Sequence, residues 1–293
     1  MFVRKKKISG RDYYYLVKST RIADNSWKKI ERYIGLNPPT KKEIQLFEKE
    51  LSSIAHFIEF KEKILSSIIN NYNQKIKRST KDELYSFEEE LLIKFTYDTN
   101  RIEGSTLSYK DTKLLLQEGI SPPEKPLRDI KETENHKKAY LFMKKNLSKD
   151  ITAEFILELH RLLKENVTED AGKWRDGQVR VGNLIPINAA MIETEVNNII
   201  KWCTENKHLY PLEFAAIFHC LFERLHSFFD GNGRIGRLLM NFILLNNNFP
   251  LVIIQNKNKR RYYTALQRAD NGNYLYMVKY LVSELEQQYG YLI

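Results

Sequence analysis

HSFFDGNGRIGR, residues His226 to Arg237, lies between two strongly apolar stretches, AAIFHCLF at 215–222 and LLMNFILL at 238–245. Apolar runs of this length on both sides predict two core helices, and the polar, glycine-rich run between them is their turn. A turn enclosed by so much apolar sequence is unlike an ordinary surface loop. Gly231, Asn232 and Gly233 supply backbone whose N–H groups can face one point, and the helix starting near Arg234 adds the positive end of its dipole. Together they predict an anion-binding nest. Arg234 and Arg237 are three apart, hence on one helix face, and offer forked donors to further phosphate groups. Asp230 is the acid of the run and suits a hard divalent cation, Mg²⁺ or Mn²⁺, shared with those phosphates. His226 closes the preceding helix. The helix end favours imidazolium and the two arginines oppose it, so its titration stays open at this point; a value near neutrality would suit a general base.

Working outward, apolar residues at three- and four-residue steps predict helices at about 41–77, 84–104, 109–117, 128–146, 152–166, 189–206, 211–225, 233–246, 259–269 and 273–288. Asp176-Gly177 inside KWRDGQVRVGNLIPI is a two-residue hairpin signal. Residues 2–34 alternate aromatic and charged residues, with Tyr13, Tyr15, Val17, Trp27, Ile30 and Tyr33 around a turn at Ala23–Ser26, and predict an N-terminal β-hairpin. Pro38-Pro39 ends it and Thr40 can cap the next helix. The fold read here is mainly α: a helical bundle with a β-hairpin flap, preceded by a small N-terminal β-hairpin and helix. The organisation is 1–78 and 79–293.

Charge divides along the same line. Residues 1–78 hold 18 Lys and Arg against 8 Asp and Glu, whereas 79–293 hold 29 of each, so the net +10 belongs to the N-terminal quarter. With 42% apolar residues and only 12 Gly and 8 Pro, the chain builds a real core and excludes a disordered one. Two cysteines, Cys203 and Cys220, make neither a disulfide framework nor a zinc site, which fits a reducing, cytoplasmic setting. No signal-peptide h-region and no membrane-length apolar run occur.

The 226–237 run resembles the signature of Fic domain proteins, histidine-x-Phe-x-Asp/Glu-Gly-Asn-Gly-Arg-x-x-Arg, at all eight specified positions. At about 5% per residue type, such a match arises by chance about once in 10¹⁰ windows. Ser227 stands where that family usually has proline. The resemblance spans about 85–288, including a flap at about 178–186 and the helix KRRYYTALQRADNG at 259–272. It implies transfer of AMP from ATP to a Ser, Thr or Tyr hydroxyl of a protein, the chain itself included. His226 would be the base and Asp230 the Mg²⁺ ligand. Gly231, Asn232 and Gly233 would hold the α-phosphate, Arg234 and Arg237 the β- and γ-phosphates, and Tyr262 or Tyr263 would lie near the adenine. A phosphorylating branch of the family has lysine at the first arginine position; Arg234 favours nucleotidyl transfer.

Thr99-Asn100-Arg101-Ile102-Glu103-Gly104 resembles the family's inhibitory motif, Ser/Thr-x-x-x-Glu-Gly/Asn, in the class whose inhibitory helix precedes the catalytic motif, here about 84–104. The resemblance implies that Glu103 pairs with Arg237 and keeps ATP unproductive; in some relatives this glutamate also positions a water that removes AMP. The flap, with Val179, Val181 and Ile185 turned inward and Arg180 and Gln178 outward, would pair with the target's extended segment. The basic quarter has two readings: docking of nucleic acid or an acidic protein through Tyr13, Tyr14, Tyr15 and Trp27, or an edge strand kept from aggregating by Lys5 to Lys7. A second functional class is an ATP-sensing or nucleic-acid-binding regulator, and another nucleotide or phosphoryl donor is the remaining alternative. A homodimer is compatible with the sequence, which names neither target nor trigger.

Overall fold

The computed structural model describes residues 2–8, 11–23, 26–35, 37–182 and 185–293. Three antiparallel strands come first, β1 (Phe2–Ile8), β2 (Arg11–Ala23) and β3 (Ser26–Gly35), in the order β1-β2-β3. The predicted hairpin across 23–26 is the β2–β3 pair, with Ala23 opposite Ser26, and β1 adds a third strand on the other side of β2. Asp24 and Asn25 of its turn, and the side chains of Trp27, Ile30 and Tyr33, lie outside the described residues. Period-two alternation puts Tyr13, Tyr15 and Val17 on one face, buried with Met191, while Leu16 on the opposite face enters the main core. The Tyr13 hydroxyl meets Met191 Sδ at 2.6 Å and the Tyr15 hydroxyl donates to Glu195 Oε1 at 3.2 Å. These two rings, read above as platforms for bases, are committed to packing.

Among the described residues ten α-helices follow: α1 (Lys41–Arg78), α2 (Lys81–Ile102), α3 (Tyr109–Glu118), α4 (Leu127–Lys145), α5 (Ala153–Lys164), α6 (Ile192–Glu205), α7 (Pro211–Leu225), α8 (Asn232–Asn246), α9 (Lys259–Asp270) and α10 (Leu275–Tyr289). Thr40 starts α1 through a capping box with Glu43, and Thr80 starts α2 in the same way with Glu83. The boundary drawn at 78 falls in this short link, and the core crosses it: Ile54, Ile58, Leu65 and Ile68 of α1 share one cluster with α7, α8 and α10. Lys61 Nζ pairs with Glu286 at 2.7 Å and Asn71 Nδ2 donates to Leu292 O at 2.6 Å, fastening α1 along α10. Among the described residues no helix is long and apolar enough to cross a membrane.

Helices α7 and α8 form the centre. Both are buried nearly all round, and the 226–231 turn joins them. Helix α5 lays the stripe Phe155, Ile156, Leu159, His160, Leu163, Lys164 against this pair. Helix α4 contributes Glu132, Asn135, His136, Ala139, Tyr140 and Met143. Both stripes carry ionisable groups at core-facing positions, and these groups meet at the turn.

The flap differs from its prediction. Asp176-Gly177 is not a hairpin turn, because the Arg175 guanidinium claims Gly177 O and Ile187 O, each at 2.7 Å. Gln178 Nε2 then reaches Pro186 O at 3.1 Å. These side-chain bonds set 177 beside 187 and 178 beside 186, with Gly182, at φ +57°, between them in sequence. Val179 is half-buried and Arg180 exposed, but Val181 and Ile185 are 39% and 69% exposed instead of packed inward, since no layer covers the flap.

Candidate active site

The turn is built by its own backbone and by α5. His226 ends α7 in the left-handed region (φ 49°, ψ 60°), its N–H donating to Phe222 O at 3.3 Å. Gly231 has φ +90°, a backbone conformation that glycine adopts without strain. Asn232 uses its side chain on Phe228, donating to its O at 2.8 Å and accepting from its N–H at 2.9 Å. What Asn232 offers a ligand is therefore its backbone N–H. The first helical bond of α8 is Ile235 N–H to Gly231 O, 3.0 Å, and no side chain caps this terminus. The N–H groups of Asn232, Gly233 and Arg234 are the orphan donors that make a helix start an anion site. Burial, with help from Arg175, pulls the His226 imidazole below its ordinary value. It is neutral at pH 7, the form that accepts a proton.

His160 holds the turn from below. Gly172 N–H donates to its Nδ1 at 3.0 Å, so Nε2 carries the proton and donates to Asp230 O at 3.1 Å. Burial takes this imidazole down to about 4, and its ring stacks on Phe228 at 3.7 Å.

Around Arg234 five charges interlock. Arg234 Nη1 lies 2.8 Å from Glu132 Oε2, and Nη2 3.4 Å from Asp230 Oδ1. Lys164 Nζ sits between the two acids, 2.8 Å from Glu132 Oε1 and 2.7 Å from Asp230 Oδ2. Arg128 spans the same pair from outside, Nε to Glu132 at 3.2 Å and Nη2 to Asp230 at 2.7 Å. Burial pushes Asp230 upward, but Arg234 and Lys164 outweigh it and hold the carboxyl at about 2. Burial likewise opposes ionisation of Glu132, and the same two cations overcome it.

Around Arg237 the arrangement is different. Nε donates to Thr99 Oγ1 at 2.7 Å, and Nη2 to Thr99 O at 3.2 Å and Glu103 Oε1 at 2.6 Å. Helix α2 ends here, with Glu103 as its C-cap and Gly104 at φ +99°, so the negative end of the helix dipole also faces the guanidinium. Glu103 lies so close to Gly233 that a Cβ there would collide with Oε1. Behind Arg237, Tyr262 presents its ring at 6.0 Å and its hydroxyl meets His219 Nε2 at 2.8 Å. Tyr262 is 1% exposed and Tyr263 42%, so of the two tyrosines named for the adenine only Tyr263 is open to a ligand. Adjacent helix positions point about 100° apart, which is why one faces in and the other out. Glu223 completes this side. Its Oε1 is buried without a hydrogen-bond partner, and burial raises the carboxyl to about 8.

Arg175 joins turn and flap: besides the two flap carbonyls, Nε donates to His226 O at 2.7 Å, and its own N–H donates to Ser227 O at 3.0 Å. Arg128, Glu132, His160, Lys164, Arg175 and Glu223 were not singled out from the sequence. The available signal was periodicity, since Lys164 and Glu132 stand on otherwise core-facing stripes where a charge needs a partner. As to a metal, Asp230 offers a hard, 39% exposed carboxylate, and the described residues contain no cluster of three or more His, Cys, Asp or Glu that could close a metal site. One carboxylate beside an anion nest fits Mg²⁺ that is completed by phosphate oxygens and water.

Residues 150–244 match the Fic/DOC family. The chain is 34% identical over 199 residues to "Protein adenylyltransferase fic-1" of Caenorhabditis elegans, covering 66% of this chain and 39% of that protein. It is 32% identical over 191 residues to "Protein adenylyltransferase Fic" of Nematostella vectensis, covering 63% and 45%. The chain thus spans less than half the length of these curated relatives. Among solved structures, a Fic domain containing signaling protein from Bacteroides thetaiotaomicron superposes with TM-score 0.70 at 26% identity, covering 77% of this chain and 96% of that one. Fic-1 (aa134 - 508) from C. elegans gives 0.71 at 29% identity, covering 87% and 78%.

Proposed function

We propose that this chain, whose residues 150–244 match the Fic/DOC family, is a protein adenylyltransferase, moving AMP from ATP onto a Ser, Thr or Tyr hydroxyl of a protein, and that Glu103 restrains it. The observation that carries this reading is the Glu103–Arg237 pair of 2.6 Å at the mouth of the anion nest. Neutral His226 takes the proton of the attacking hydroxyl, whose oxygen bonds to the α-phosphorus as diphosphate leaves. The N–H groups at the start of α8 hold the charge that grows on the α-phosphoryl oxygens, and Arg237, once released, binds the terminal phosphate. Mg²⁺, when bound, is held by Asp230 and neutralises phosphate charge. Arg234 stays against Glu132 and Asp230 and lends its positive field to the nest. Arg175 fixes the flap to His226, so a target strand paired with the flap is held relative to the base. ATP and a protein substrate are the partners this implies, and the buried cysteines Cys203 and Cys220, which form no disulfide, suit a reducing cytoplasm.

Removing Glu103 leaves Arg237 on both Thr99 acceptors, so the guanidinium stays in place while one of its forks opens. Glu103→Gly is expected to raise self-labelling from α-labelled ATP with Mg²⁺ by about 5–150-fold, the span of a typical coupling energy. Adding His226→Ala should abolish it. Label arriving from γ-labelled ATP instead would make the protein a kinase, and no label from either would leave an ATP-sensing module.

A further inference from the structure

The carboxylate suited to the metal is already crowded. Asp230 Oδ2 touches Arg128 and Lys164, each at 2.7 Å, and Oδ1 faces Arg234 at 3.4 Å while accepting Gly231 N–H at 2.6 Å. Three cations, Arg128, Lys164 and Arg234, stand against two anions, Glu132 and Asp230. A lone divalent ion therefore approaches a cluster of net positive charge whose best oxygen is doubly occupied. A metal carried by a nucleoside triphosphate arrives inside a net negative complex and meets attraction.

The three cations differ in their freedom to leave. The side chain of Lys164 is 0% exposed and that of Arg234 1%, and moving either would take a partner from the buried Glu132 carboxylate. Arg128 is 62% exposed and reaches inward from the first turn of α4. That turn is itself anchored, since its neighbour Asp129 accepts the Thr106 N–H at 2.6 Å and the Thr106 hydroxyl at 2.7 Å. The backbone stays put, and a rotation of the Arg128 side chain is enough to free its place on Asp230 Oδ2 while Lys164 keeps its own.

We propose that Arg128 is a nucleotide-binding residue that exchanges partners: it shields Asp230 from lone divalent ions, and yields it to a metal that enters with a nucleoside triphosphate while its guanidinium turns onto the polyphosphate. The inference rests on the nucleotidyl-transfer reading. It makes metal–nucleotide the entering unit and Lys164 the fixed cation that keeps Asp230 aimed.

Two titrations on the full chain test it, with Glu103→Gly as the parent so that Arg237 is free. Mn²⁺ alone is followed by loss of its free electron-spin-resonance signal, with Asp230→Asn as the control that assigns the ion. An ATP analogue with a non-cleavable α–β bridge is titrated with Mg²⁺ by calorimetry. Arg128→Gln is expected to bind lone Mn²⁺ about threefold to fivefold more tightly and the Mg²⁺–analogue more weakly by a similar factor, the scale of an exposed ion pair. Arg128→Lys should recover part of the analogue affinity. Opposite signs in the two titrations are not what an ion pair of purely structural use produces. Unchanged or weaker Mn²⁺ binding by Arg128→Gln, or unchanged analogue binding, overturns the proposal. If the parent binds no analogue, the nucleotidyl-transfer reading fails on its own, and the partner exchange fails with it.

Discussion

Arg234 and Arg237 stand one helical turn apart on α8, share a sequence motif and are each 1% exposed, yet the structure surrounds them differently. Arg234 is locked among Glu132, Asp230 and Lys164, whose partners come from α4, α5 and the turn itself. Arg237 is held by the end of a single helix, through one hydroxyl, one carbonyl and a carboxylate that is 30% exposed. The first arrangement loses a buried charge if any member goes. The second has a removable member, because Thr99 keeps the guanidinium in place without Glu103. Two arginines with the same burial thus divide into one that builds the site and one that can be regulated.

The most severe way to break this contrast is to remove each acid and compare stabilities. Glu132→Ala takes the buried carboxylate from Lys164 and Arg234, leaving both to the partly exposed Asp230, and should cost about 3 kcal/mol in urea unfolding, whereas Glu103→Ala should cost about 1 kcal/mol or less. Equal losses would erase the distinction. A smaller effect probes what lies behind Arg237. Burial raises Glu223 to about 8, and the charge of Glu103 adds to that rise. Between about pH 4.5 and 8 the folded protein therefore keeps a proton that the unfolded chain has lost, and stability falls as pH rises through that window. Glu223→Gln cannot ionise, so its stability relative to wild type should grow from pH 5 to pH 8, by about 3–4 kcal/mol. A gap that does not change with pH would mean Glu223 ionises normally. The mildest test is Thr99→Ala, expected to cost about 1 kcal/mol through one lost hydrogen bond while leaving Glu103 on Arg237. Self-labelling as strong as in Glu103→Gly would mean that Thr99, and not the carboxylate, carries the restraint.

Much of this was legible in the chain, and the parts that were not share a cause. The helices from α2 to α10 follow from apolar periodicity, because each lays a stripe on one core. The 226–237 run announced its turn because glycine, asparagine and arginine at those steps have few other uses. Thr99 and Glu103 were found only as a resemblance, and the geometry brings them to Arg237. Lys164 and Arg128 were passed over because their partner Asp230 lies 66 or more residues away in sequence, and Glu132 because its buried partners Lys164 and Arg234 lie 32 and 102 residues away, beyond any local pattern. The turn of the flap was misplaced, at Asp176-Gly177, for a similar reason. Asp-Gly is a strong local signal, but the long-range bonds of Arg175 decide where the arc closes.

That last residue has a consequence for how the molecule responds to its surroundings. All three side-chain bonds recorded for Arg175 end on backbone carbonyls, those of Gly177, Ile187 and His226. Carbonyls neither titrate nor gather counterions, so the link between flap and base is indifferent to pH across the physiological range and nearly so to ionic strength. The Glu103–Arg237 contact is an ion pair with one partner reaching solvent, and added salt weakens it. Ionic strength thus acts on the restraint while leaving the geometry of target alignment untouched.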